Sequence, residues 1–97
     1  MTANLRVEIL RVTDDSGYPA FIEFSLTDSS GKTHIFYDKL PIVSAEDEVH
    51  PPCEGLLRCH IIAETDKTCT IDTTFPDYVE SQDEQYIFEV FKNQIVS

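Results

Sequence analysis

The sequence predicts an all-β protein: a six-stranded antiparallel barrel or compact sandwich, with at most one short helical turn in the 41–54 connection. Three observations lead there. Runs rich in β-branched and aromatic residues recur at a spacing of roughly ten residues. Clusters of Asp, Ser, Gly and Pro separate them, the residue types that build turns. Most of the runs alternate apolar and polar, the period of a strand with one buried face. Closing such a sheet on itself removes its exposed edges, which makes a barrel attractive.

The first strand reads from Leu5 to Val12, with Leu5, Val7 and Ile9 on one face. Thr13 to Gly17 turns the chain. Tyr18 to Leu26 is the second strand, with Ala20, Ile22, Phe24 and Leu26 inward; Pro19 suits its entry because proline cannot donate to a ladder. Asp28-Ser29-Ser30-Gly31 is the clearest hairpin signal. A four-residue loop there pairs Thr27 with Lys32, Phe24 with Ile35 and Ile22 with Tyr37 on the core side. Glu23 then faces Phe36, and Ser25 faces His34, on the other side. Thr33 to Pro41 is the third strand and the densest β-forming run.

The connection 41–54 carries Pro41, Pro51, Pro52 and the acidic run Glu46-Asp47-Glu48, with a helical turn capped by Ser44 as its one candidate element. Gly55 to Glu64 is the fourth strand, with Leu57, Cys59, Ile61 and Ala63 inward. Thr65-Asp66-Lys67 turns into the fifth, Thr68 to Thr74. After a second acidic loop, Gln85 to Phe91 is the sixth; a helix over the same residues is the competing reading, because Ile87, Phe91 and Ile95 also fit a helical stripe. The expected core is Val7, Ile9, Ile22, Phe24, Ile35, Tyr37, Cys59, Ile61, Ile71 and Phe88.

With 97 residues, the chain reads as a single β-rich domain over 1–97. A hydrophobic fraction of 41% suffices for a core and excludes compositional disorder. The start, Met1 to Arg6, lacks the basic and apolar regions of a secretory signal, so the expected location is cytoplasmic. The three cysteines then read as reduced thiols rather than bridges.

Eighteen Asp and Glu against seven Lys and Arg give a net charge of -11. That argues against nucleic acid and against anionic membrane surfaces as partners. At Ile35 to Val43, Gly55 to Cys59 and Asp72 to Asp77 the chain resembles a group of small bacterial single-domain proteins of unassigned function. The resemblance extends over most of the chain. It implies a compact β-rich domain and carries no activity, cofactor or site.

No chemical constellation survives inspection. Cys59 and His60 are adjacent on a strand, so their side chains point to opposite faces. His50-x-x-Cys53 lacks a second close pair to complete a zinc site. Asp14-Asp15 and Glu46-Asp47-Glu48 lack the spacing of a calcium loop. Cross-strand Glu23 and His34 read as a surface pair. The expectation is therefore a non-enzyme without cofactor or metal.

What remains is charge. If six strands alternate, connections 13–17, 41–54 and 75–84 share one end. They hold Asp14, Asp15, Glu46, Asp47, Glu48, Glu54, Asp77, Glu80, Asp83 and Glu84, and no Lys or Arg. Such a pole suits a binding module for a basic protein partner, in one version an immunity or inhibitor protein against a basic toxin. Mutual repulsion should raise the affinity of its carboxylates for protons. The alternative is a structural component that self-associates through an exposed sheet face carrying Phe21 and Phe36.

Overall fold

The spine is β1, Thr2–Asp14, thirteen residues of strand that serve two partners in succession. In the computed structural model, which describes residues 2–96, its first half pairs with β4 (Cys53–Glu64), from Thr2 opposite His60 to Ile9 opposite Cys53. Its second half pairs with β2 (Phe21–Thr27), from Glu8 opposite Ser25 to Asp14 opposite Phe21. Register shifts between Ile9 and Arg11 and between Val12 and Asp14 bend this second half; irregularities of this kind bend a strand and tighten its twist. With β3 (Thr33–Lys39), β5 (Thr68–Asp72) and β6 (Ile87–Phe91), the sheet order is β3-β2-β1-β4-β5-β6, antiparallel throughout. The two-residue β7, Ile95–Val96, adds to β1 opposite Asn4 and Leu5. The sheet curls strongly into a half-barrel, and among the described residues there is no helix beyond two lone 3₁₀ turns.

Hydrogen bonds bridge the open side. The Gln82 amide donates to Ile35 O at 2.8 Å, the Ser29 amide to Glu89 O at 2.8 Å, and Gln94 Nε2 to Thr27 O at 2.8 Å. Connection 73–86 works as a strap across this gap. Val79, Thr73 and Ser81 are buried. The Thr73 hydroxyl donates to Val79 O at 2.6 Å, which satisfies a polar group that would be costly to bury bare.

The core joins Leu5, Val7 and Ile9 of β1 to Ile22, Phe24 and Leu26 of β2, with Leu57, Cys59, Ile71, Phe88 and Val90 from the other half. Phe24 and Phe36 stack at 4.9 Å, and Phe88 meets Phe36 edge-on at 5.8 Å. Gly55 lets segment 40–44 lie against β4. A Cβ there would sit 3.0 Å from the Val43 carbonyl oxygen and 3.2 Å from its Cβ.

Several expectations are corrected. The first hairpin is shifted by one residue: Thr27 pairs with Thr33, Phe24 with Phe36 and Ser25 with Ile35. The cause is a longer turn, in which Asp28 Oδ1 accepts the amides of Ser30 and Lys32 while Gly31 takes a φ of 88°. Lys32 thus belongs to the turn. The shift sends Phe36 into the core and turns Tyr37 out, and Ile35 is only half-buried. Ile61 is half-buried too, beside the irregularity between Ile61 and Ala63. The helical turn lies at Leu40–Ile42, with Pro41 inside it, and not at Ser44. Ser44 Oγ does accept the Glu46 amide at 3.0 Å, but no helix follows. The competing helix over 85–91 is absent, because β6 occupies Ile87–Phe91.

Candidate docking surface

Two of the three acidic connections converge. β1 ends where β2 begins, and Phe21 pairs with Lys39 at the end of β3, so turn 15–20 and connection 43–52 leave the sheet at one end. Asp15, Asp47 and Glu48 line one cavity of about 130 Å³ with Val12, Ala20, Leu40 and Val49. The Tyr18 hydroxyl donates to Asp47 Oδ1 at 3.4 Å across the two loops. Asp14, Asp15, Glu46, Asp47 and Glu48 are all exposed. Among the described residues none of the five has an ion-pair partner within 4.0 Å. The Asp14 carboxyl departs from expectation. The Ser16 hydroxyl at 2.7 Å and the Ser16 amide at 2.9 Å hold it below the usual carboxylate value, outweighing a smaller opposing effect of desolvation.

Large aromatic side chains stand exposed near this end. Tyr18 is 79% accessible, Phe21 42% and Tyr37 51%. Tyr37 sits opposite Glu23 on the outer face, where Arg11 pairs with Glu23 at 3.0 Å. A hydrogen bond to Glu23 raises the Tyr37 phenol above its ordinary value. Phe36 is fully buried, so the sheet face expected to carry both Phe21 and Phe36 does not exist as such.

The third acidic connection does not join this end. β5 is five residues long and ends at Asp72, level with His60 in the middle of β4, so the chain leaves the sheet halfway along. Asp77 is held by Arg58 of β4 in a two-point contact at 2.7 and 3.0 Å. Glu80 lies beside Tyr78 and raises its phenol. Gln82 reaches β3 at Ile35, which brings Asp83 alongside that strand. Glu84, in the left-handed conformation at φ 62°, shares a cleft of about 490 Å³ with Asp28, Lys32 and His34 at the opposite end. Glu54 lies within β4, opposite Glu8 and 4.0 Å from Arg6. The ten acidic residues therefore divide into an exposed end group of five, a strap group of four, and Glu54 alone on β4.

The cleft at the hairpin end holds an arrangement that the sequence did not suggest. His34 Nε2 lies 2.7 Å from Asp28 Oδ2, and Asp28 Oδ1 accepts the Ser30 hydroxyl at 2.7 Å and the amides of Ser30 and Lys32 at 3.0 Å. Burial works to raise the Asp28 carboxyl, but the bonds from His34, Ser30 and Lys32 outweigh it and hold the group well below its ordinary value. A carboxylate accepts only, so His34 carries its proton on Nε2. The His34 ring packs on Phe88 at 4.7 Å, and its Nδ1 is buried with no partner among the described residues. A carboxylate-oriented imidazole resembles half of a catalytic triad. Here the second nitrogen reaches neither solvent nor a nucleophile, so the pair ties the turn to the strand. The one available hint was the spacing of Asp28 and His34 across the turn.

Cys59 and Cys69 are buried free thiols on adjacent strands, and Cys53 is half-buried. Burial, then the neighbouring Cys69, pushes the Cys59 thiol up to about 11. Burial also raises Cys69. His60 stands on the opposite face from Cys59 and meets Phe75 edge-on at 5.9 Å. Among the described residues no three His, Cys, Asp or Glu side chains are grouped to hold a metal, and no helix is long and apolar enough to cross a membrane. No protein-family model, curated protein or solved structure matches the chain.

Proposed function

We propose that the protein is a small binding module that docks a basic protein partner through its acidic end. The observation that carries this reading is the convergence of Asp15, Asp47 and Glu48 on two adjoining loops that contain no Lys or Arg, with Asp14 and Glu46 next to them in the chain. Gathered like charge costs stability by self-repulsion, and a cationic partner relieves it while speeding encounter. Tyr18, Phe21 and Tyr37 add the exposed aromatic side chains that serve as anchors in protein interfaces. An inhibitor or immunity protein against a basic nuclease or toxin is the narrower form of the same reading. Charge of this sign opposes nucleic acid and anionic lipid as partners.

The experiment is titration of the protein with small folded basic proteins at several salt concentrations. The variant Asp15→Asn/Asp47→Asn/Glu48→Gln serves as control. Binding at low salt that weakens as salt rises, and weakens at least about tenfold in the triple variant, is the expected result. Equal binding by the variant, or none at low salt, overturns the reading.

A further inference from the structure

The cavity between the two acidic loops has an apolar floor and an acidic rim. Val12, Ala20, Leu40 and Val49 form the floor. Leu40 is buried, and Val12 and Val49 pack against the core, so the floor belongs to the folded scaffold. Asp15, Asp47 and Glu48 form the rim, and all three are exposed. Two hydrogen bonds tie the walls together. The Leu40 amide donates to Ala20 O at 2.9 Å, and the Tyr18 hydroxyl donates to Asp47 Oδ1 at 3.4 Å.

Size and chemistry narrow the occupant. The volume of about 130 Å³ is below the ~300–1,000 Å³ of small-molecule sites, so it suits one side chain. Among the described residues no three His, Cys, Asp or Glu side chains are grouped to hold a metal ion. A hard cation prefers oxygen ligands and gains nothing from four apolar neighbours. The protein's own nearest cation in the chain, Lys39, is exposed and forms no ion pair within 4.0 Å among the described residues. The rim alone would attract any cation; the floor selects one with a long aliphatic stem.

We infer that this slot takes the side chain of one lysine of the partner, its methylenes on Val12, Ala20, Leu40 and Val49 and its ammonium among Asp15, Asp47 and Glu48. Lysine is divided in the same way, an apolar stem under a charged head. A slot this small favours that unbranched stem and compact ammonium over the broader planar guanidinium of arginine. The inference rests on the docking reading and names the side chain that anchors the partner.

The test titrates the protein at low salt with Nα-acetyl-lysine N-methylamide and follows its methyl groups by NMR. Two compounds serve as controls: the homologue with a single methylene in its stem, and the Nε-acetylated form, which lacks the charge. The methyl groups of Val12, Leu40 and Val49 should shift with the lysine compound, and each control should bind at least about fivefold more weakly. Ala20→Leu, which fills the slot and leaves the charge unchanged, should weaken the lysine compound and a basic protein alike by about tenfold or more. The two control compounds probe the same slot with the protein unaltered. If the short-stemmed or uncharged compound binds as well as the lysine compound, or those methyl groups do not shift, the slot is overturned, and salt-sensitive binding of basic proteins still leaves the docking reading standing. Absence of that salt-sensitive binding overturns both.

Discussion

The two ends of the half-barrel use the same residue type in opposite ways. At the hairpin end Asp28 accepts four hydrogen bonds, one of them from a buried imidazole. Glu89 there accepts the hydroxyls of Ser29 at 2.8 Å and Thr68 at 3.3 Å. At the other end Asp15, Glu46 and Glu48 accept no hydrogen bond from a described side chain, and Asp15 lines one cavity with Asp47 and Glu48 across the two loops. Acid at the first end holds turns together. Acid at the second end is only partly engaged: Asp14 accepts from Ser16 and Asp47 from Tyr18. Net charge alone, identical for both readings, cannot make this distinction; partners and distances do.

The largest effect that separates structural from surface roles lies in β3, at two neighbouring aromatics. Phe36 is fully buried between Phe24 and Phe88, whereas Tyr37 is half exposed. Phe36→Ala should cost about 3–5 kcal/mol in urea unfolding. Tyr37→Ala should stay within about 0.5 kcal/mol, with the unfolding slope unchanged. A reversal would restore the register that a four-residue turn predicts.

That register marks where the sequence stopped being informative. Alternation in 21–26 and 33–38 identified both strands, but Phe36 and Tyr37 suit either face, and only the turn length decides. Asp28, Ser30 and Gly31 are evident turn-formers; Lys32 enters the turn because Asp28 Oδ1 captures its amide, which no propensity announces. The acidic connections 13–17 and 41–54 were legible as neighbours because antiparallel strands put alternate connections at one end. Connection 75–84 was not, because β5 stops after five residues and leaves the strap free to cross the opening. Strand β7 escaped notice because two residues carry no period.

The next effect is acid sensitivity at the hairpin end. The folded Asp28 carboxyl titrates well below its unfolded value of 3.8. Its contribution is therefore complete above that value and is lost as pH falls below about 4 toward the folded pKa. Asp28→Asn should cost about 1–3 kcal/mol at neutral pH and flatten this acid limb, read by urea midpoints across the range. An unchanged limb would mean that the turn does not depend on the charge.

Thiol chemistry gives a smaller, kinetic contrast. Cys59, pushed up to about 11, and Cys69 are buried, while Cys53 is partly open. In native protein near neutral pH, Cys53 should react first with a thiol reagent, and Cys59 and Cys69 only as fast as the protein opens. Equal rates for all three would show that β4 and β5 part readily.

The division between the ends is tested most directly by removing the same charge from each. Asp15→Asn/Glu48→Gln and Asp28→Asn/Glu89→Gln each make the net charge less negative by two. Melting temperatures at low and moderate salt should move in opposite directions. The first variant should melt above the parent at low salt and lose part of the stabilisation that salt gives the parent. The second should melt below the parent at both salt concentrations. If both variants raise the melting temperature equally at low salt, the acid acts only through net charge, and the distinction between the two ends is wrong.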